Sequence, residues 1–459
     1  MERLYAYIDA HRDTYVEFLR RLIRIPSVSF HNQGIDEGAR YVASALGELG
    51  AEISTLRALD GLPLIVGAFS GKSARTLLLY NHYDVVPVEP VEAWTSPPFG
   101  AETKDGRVIG RGASDNKGEL AARICAINAY RAVRGDLPTA IKFVVDGEEE
   151  IGSPHLQEVV EANHALLRAD AAFGEGSHRD ALGRPTVSLG CRGRVLFEME
   201  SVGARQTFHS SLTALVPNPA WDIVWAFASM KGRDERVTIE GFHDAVVPPS
   251  DEELTCLEAI HFDDAATKRL LGIPALTLGS SGREAVCRLL LEPTVEISGL
   301  GAGRVLDGLK GMPRRAVGVV RFGLVPNQDP SKMEAILRRH LDRFGFQRIA
   351  LKPISYRHPG KVPLDHPFAR MIIRSAREFL GEEPVVYPVA PWIGAPYHEL
   401  ADPLGIPLVN VGLASADSRF HAPDESLDLD GYIESIKFAA RLFHDFSGLE
   451  PMDEGDEQT

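Results

Sequence analysis

Two histidines and a set of carboxylates in this chain fall where a metal-assisted reaction would need them. They are His82 and Asp84, Asp115, the run Glu148-Glu149-Glu150, Glu175, and His421. Imidazole nitrogen and carboxylate oxygen together suit zinc or a similar first-row divalent ion. Each residue alone has an ordinary structural reading: Asp115 as a helix cap, the glutamate run as a charged helix start, His421 as a loop histidine. Their value lies in recurring at the ends of successive apolar runs.

Those runs define the elements that must position them. Short aliphatic or β-branched runs alternate with longer helical patterns, which predicts an α/β fold whose mainly parallel sheet is flanked by helices. Strands are expected at 76–80, 140–145, 170–173 and 406–413, and a helix at 119–134. The strands lead respectively to His82, to the glutamate run, to Glu175 and to His421, while Asp115 precedes the helix. In open α/β sheets the functional crevice lies outside the carboxyl ends of the strands, so the five positions are expected along one sheet edge. From about Arg192 to His358 the pattern changes to alternating strands at 194–201 and 315–324, with a helix at 330–344. This reads as an α+β insertion, residues 192–358, between catalytic segments 1–191 and 359–459, the last ending in an acidic tail.

Composition excludes several partners. The chain has 459 residues, with 49 Lys plus Arg against 64 Asp plus Glu and a net charge of -15. That balance repels phosphate backbones and anionic lipid, so neither nucleic acid nor a membrane is expected as partner. Residues 1–24 read as an amphipathic helix, without a signal peptide's apolar stretch, and no run reaches the roughly 18 apolar residues of a membrane helix. Cys125, Cys191, Cys256 and Cys287 are scattered, which predicts reduced thiols and a cytoplasmic protein. Gly71-Lys72-Ser73 lacks the spacing of a phosphate loop, and Gly299, Gly301 and Gly303 read as a turn.

The motifs NHYDVVPV (81–88), GRGASDNKG (110–118), DGEEEIGSP (146–154), FGEGS (173–177), FHSS (208–211) and FHAPDES (420–426) occur in this order. The set resembles, over nearly the whole chain, the di-zinc metallopeptidase and deacylase family of glutamate carboxypeptidase, acetylornithine deacetylase, succinyl-diaminopimelate desuccinylase, aminoacylase and carnosinase. The resemblance implies two divalent ions, zinc first with cobalt or manganese as alternatives, and an inserted lid that often dimerises, hence a homodimer. It implies Asp115 as bridging ligand, Glu150 and His421 completing one metal site, and His82 with Glu175 the other. Asp84 matches the carboxylate that orients His82. Counting back from Gly152-Ser153 makes Glu149 the general base and Glu148 a neighbour only. His209 matches a lid histidine that donates to the oxyanion, with Asn218 in the lid segment that follows it.

The substrate implied is a small peptide or an N-acyl amino acid, cleaved at its amide bond, with a carnosinase-like dipeptidase as the alternative. A catalytically inactive binding protein of the same fold is a remote alternative, since every ligand position is filled. Relatives usually carry an arginine before Leu-Val-Pro to hold the substrate's carboxylate, but here that residue is Gly323, and Arg321 is the nearest candidate. Trp392 stands in place of the usual glycine-rich loop. These two departures predict weaker selection for a free carboxylate and a more apolar pocket.

Overall fold

The computed structural model describes residues 1–176, 179–206, 208–307, 312–391, 396–412, 414–415 and 417–449. In chain order its principal strands are β1 (Glu52–Leu56), β2 (Leu64–Phe69), β3 (Gly71–His82), β4 (Leu137–Asp146), β5 (Ala171–Phe173), β6 (Thr186–Ser188), β7 (Gly193–Val202), β8 (Thr294–Ala302), β9 (Arg315–Leu324), β10 (Ala350–Arg357), β11 (Val385–Tyr387) and β12 (Leu408–Gly412). The helices used below are α1 (Lys117–Arg134), α2 (Pro219–Met230), α3 (Gly282–Leu291), α4 (Met333–Arg343) and α5 (Leu429–Ser447). The chain divides into two compact units, one of Met1–Leu189, Val362–Pro388 and Ala395–Thr459, the other of Gly190–Lys361 and Val389–Gly394. Within the second unit the short strands Gly190–Cys191 and Gly360–Lys361 pair antiparallel, tying together the two ends of its long segment.

The first unit is built on an eight-stranded sheet of order β1-β2-β4-β3-β5-β12-β6-β11. Its centre, β4-β3-β5-β12, is parallel throughout. The reason is visible in β3, where Leu77, Leu78, Leu79 and Tyr80 are all buried, as a strand covered on both faces requires. Helix α1 is buried from Leu120 to Ile127 and packs against α5. The outer strands depart from the parallel pattern: β1 and β2 join as an antiparallel hairpin edge, and β6 runs antiparallel to β12. No helix among the described residues is long and apolar enough to cross a membrane.

The second unit carries a four-stranded antiparallel sheet of order β8-β9-β7-β10. Alternation decides its faces: Val195, Phe197 and Met199 of β7 with Val320, Phe322 and Leu324 of β9 pack under α2 and α4. Their neighbours, including Arg194 and Arg321, occupy the opposite face. Three local expectations need correction. The N-terminal pattern forms two helices, Glu2–Ala10 and Arg12–Ile23, broken at His11, whose ring nitrogen lies 2.8 Å from the Tyr7 carbonyl. Gly299 and Gly301 belong to β8, with the register shift of a bulge at Ile297/Gly299, and only Gly303 turns with positive φ. The helix expected over 330–344 starts as a single 3-10 turn, Pro330–Lys332, capped by Asp329, before α4 begins.

Candidate metal centre

The carboxyl ends of the four parallel strands bring the sequence candidates together. His82 closes β3, and Glu175 follows β5. The Glu149–Ile151 3-10 turn follows β4, and His421 lies on the segment beyond β12. His82 Nε2 lies 3.1 Å from Asp115 Oδ1 and 3.3 Å from Glu175 Oε2. His421 Nε2 lies 3.1 Å from Asp115 Oδ2 and 3.2 Å from Glu150 Oε2. Two groups therefore form, His82-Asp115-Glu175 and Asp115-Glu150-His421, with the ligand atoms of each within 4.8 Å of one another. Asp115 turns one oxygen to each group. Glu149 Oε2 stands 4.0 Å from His82 Nε2 and belongs to neither group.

A buried support holds this constellation. Asp84 has no exposed surface, and its carboxylate accepts the backbone N–H groups of Glu149 at 3.2 Å and Glu150 at 3.0 Å. Its Oδ1 also lies 3.3 Å from His82 Nδ1, so one anion orients the imidazole and the glutamate turn together. Asp146, at the end of β4, accepts from the Glu148 N–H and the Ser153 hydroxyl. Burial first, then the charge of Asp84, pushes Asp146 up to about 6. Glu148 turns away from the metal groups, accepting from Leu62 N–H at 2.8 Å and standing 3.0 Å from His155 Nδ1.

Two further residues, outside the motif-implied set, support the site. Glu425, fully buried, pairs with Arg111 at 2.7 Å and accepts the backbone N–H groups of Gly112, Ser114 and Asp115, fixing the loop that presents Asp115. Arg123 of α1 donates to the carbonyls of Tyr80, Phe173 and Gly174 and to the Asn81 side chain, so one guanidinium clamps the ends of β3 and β5 that carry His82 and Glu175. The available signals were a glutamate inside FHAPDES, and an arginine in the otherwise small and apolar stretch from Leu120 to Ile127.

The electrostatics fit a pair of cations. Burial opposes a charge on His82, but contacts with Asp115, Asp84 and Glu175 override it and raise its pKa well above that of an ordinary imidazole. His421 is raised to about 10, first by Asp115 and then by Glu150. Burial pushes Glu150 up to about 7, and burial together with the charge of Glu175 raises Glu149 further. Glu150 Oε1 is buried without a hydrogen-bond partner. An orphaned carboxylate oxygen among crowded acids and two imidazoles is a donor set completed by divalent ions of the nitrogen-and-oxygen-binding kind.

Other candidates lie elsewhere in the chain. His209 is exposed in the second unit, its Nδ1 accepting the Ser211 N–H at 3.2 Å. Asn218 caps α2, its side-chain oxygen accepting from Ala220 N–H at 3.0 Å. Arg321 lies on β9, opposite Leu196 of β7. Trp392 and the acidic tail from Glu450 lie outside the described residues. None of Cys125, Cys191, Cys256 and Cys287 forms a disulfide.

Comparison with known proteins gives this geometry a family. A metallo-carboxypeptidase from Sulfolobus solfataricus is 33% identical, with a TM-score of 0.84 over 95% of this chain and 99% of its own. The human Beta-Ala-His dipeptidase is 27% identical over 98% of this chain and 93% of that protein. The Cys-Gly metallodipeptidase of Schizosaccharomyces pombe is 24% identical over 98% and 99%. The pattern of peptidase family M20/M25/M40 matches residues 78–445, a span that takes in both metal groups and the glutamates beside them. This chain, with its paired metal groups at the carboxyl ends of a parallel sheet, belongs to that family and is a metal-dependent hydrolase of amide bonds.

Proposed function

We propose that the protein is a two-metal exopeptidase that releases one residue from a dipeptide or other short peptide, with N-acyl amino acids as the related substrate class. The observation that carries this reading is the shared Asp115, each of whose oxygens lies 3.1 Å from a different imidazole. His82, Asp115 and Glu175 hold one ion and Asp115, Glu150 and His421 the other, zinc first, with cobalt or manganese as alternatives. When bound, such a pair acidifies water and polarises an amide carbonyl.

Glu149 is the general base in this reading. It lies beside both groups without belonging to either, and its raised pKa suits a carboxylate that takes a proton from water and returns it to the departing amine. Asp84 keeps His82 in the tautomer whose Nε2 lone pair faces the ion. His209 donates to the oxyanion, and Arg321, Trp392 and Asn218 contact the substrate. The names of the two curated relatives support a dipeptidase, and that of the Sulfolobus enzyme a carboxypeptidase. Both activities release a residue that bears a free carboxylate. The acting form is a homodimer, a reading supported by the exposed apolar stripe of α2, where Trp221 and Trp225 stack at 5.3 Å with Val224 beside them.

The test is a side-by-side measurement of kcat/KM on dipeptides, longer peptides and N-acyl amino acids, using protein stripped by chelator and reloaded with zinc, cobalt or manganese. Metal-restored release of single residues is expected. Full activity in the stripped protein, or cleavage only within long peptides, would overturn the reading.

A further inference from the structure

The two imidazoles of the metal centre are held very differently. His82 closes a strand and its side chain is fully buried, whereas the side chain of His421 is 54% exposed and stands on an irregular segment beyond β12. That segment is also strained. Arg419, His421 and Asp424 all have positive φ, at 58°, 56° and 59°. L-residues rarely take this left-handed conformation, and it persists only where the surroundings over-determine it. Burial does not fix His421, so the contacts that hold its backbone must aim the ring.

Those contacts come from the loop that follows β3. Thr95 reaches Asp424 Oδ1 twice, through its backbone N–H at 2.7 Å and its hydroxyl at 3.1 Å. The other Asp424 oxygen lies 3.7 Å from Arg419 Nη1, so one carboxylate joins both ends of the strained stretch to the loop. Beside Thr95, the Trp94 ring lies 5.2 Å from the Arg111 guanidinium, and its indole N–H donates to the Val88 carbonyl at 2.8 Å. Trp94 thereby seats the loop on Arg111, which also donates to the carbonyls of Pro87 at 3.3 Å and Ala422 at 3.4 Å. The segment closes on itself through the Ala422 N–H to the Arg419 carbonyl and the Ser426 N–H to the Ser418 carbonyl. Arg111 and Glu425 serve Asp115 as well, but the Thr95–Asp424 contact bears on the His421 segment alone.

We propose that Thr95 and Asp424 are positioning residues for one of the two metal groups: their clasp holds His421 toward Asp115 and Glu150 and sets the affinity of that group separately from the His82 group. The physical basis is preorganisation. A ligand on a free segment must be ordered each time an ion binds, whereas a clasped segment is ordered beforehand. Opening the clasp lets the strained residues relax and swings the imidazole away, while His82, Asp115 and Glu175 keep their own support. The inference rests on the two-metal reading of the centre.

The test titrates zinc into full-length, metal-free protein against a chromophoric chelator, which reads the two binding steps separately, with circular dichroism checked for each variant. Asp424→Ala should weaken one step by about 10- to 100-fold, the usual effect of removing support from a ligand, and leave the other unchanged. Asp424→Asn keeps an oxygen that accepts from Thr95 and should stay closer to wild type than the alanine variant. Thr95→Val removes only the hydroxyl and should weaken the same step by less, so it decides the matter if Asp424→Ala fails to fold. A double-mutant cycle assigns the step: in a His421→Ala background, Asp424→Ala should have no further effect on the remaining ion. Wild-type binding of both ions in a folded Asp424→Ala protein, equal weakening of both steps, or an undiminished effect without His421 would overturn the proposal. So would wild-type binding in Thr95→Val where the alanine variant is unfolded. A wild type that binds a single zinc, still weakened by Asp424→Ala, would reject the two-metal reading and leave the clasp standing.

Discussion

Replacing Asp84 by Asn isolates the residue that ties the imidazole to the glutamate turn. The carboxylate accepts two backbone N–H groups, from Glu149 and Glu150, and stands 3.3 Å from His82 Nδ1, all without exposure to water. Asparagine keeps the volume and one acceptor oxygen but substitutes an NH2 donor for the other. That donor must face a backbone N–H or the imidazole N–H, so at least one hydrogen bond to a buried anion is lost. Such a bond contributes about 1.5 to 3 kcal/mol, which converts to a weakening of metal binding of about 10- to 100-fold. Activity at saturating metal should fall as well, because the backbone of Glu149 loses the same support. Competition against a chromophoric chelator measures the first effect, and kcat/KM in excess metal the second. Wild-type affinity and activity in a folded Asp84→Asn protein would refute the reasoning.

Three further outcomes follow from the same geometry. Glu149→Gln should leave metal content intact and lower kcat at least about 100-fold, whereas Glu148→Gln, whose carboxylate is engaged by Leu62 and His155, should act chiefly on stability; paired kinetics and thermal melts separate the two. Arg123→Met removes the clamp between β3 and β5 and should weaken metal binding while leaving the protein folded, as read by chelator competition and circular dichroism. With His421 raised to about 10 and Glu150 to about 7, the metal-free centre carries protons at neutral pH that a metal must displace. Metal affinity should therefore rise between pH 6 and 9, by about tenfold per pH unit for each proton displaced, and calorimetry in buffers of different ionisation heat should detect proton release. A flat profile would contradict the raised values.

The ends of the central strands are legible because β3, β4, β5 and β12 end in largely buried, mainly apolar runs, broken by Lys142 in β4 and Asn410 in β12, after which polar residues stand at the sheet edge. That pattern places His82, the glutamate run, Glu175 and His421, with Asp115 before its helix, at one sheet edge, whereas the choice of Glu149 and Glu150 over Glu148 and the pairing of His421 with Asp115 across 306 positions rest on the family resemblance. The support around them was illegible for a physical reason. Arg111 and Glu425 are 314 positions apart, and a buried ion pair leaves no local periodicity. Arg123 looks like any helical arginine until the folded chain shows which carbonyls it meets. The antiparallel edges are not legible in sequence because β1 and β6 are short and partner choice is set by neighbours rather than by composition. The break at His11 falls inside one continuous helical spacing, so hydrophobic spacing does not encode it.

If Asp115 serves two metal groups at once, counting metals tests it most directly. Elemental analysis of zinc-loaded, desalted protein should give two ions per chain in wild type, one in Glu175→Ala, one in Glu150→Ala, and fewer than one in Asp115→Ala, with circular dichroism showing that each variant is folded. One ion per chain in fully active wild type, or two retained by folded Asp115→Ala, would contradict the shared-carboxylate centre.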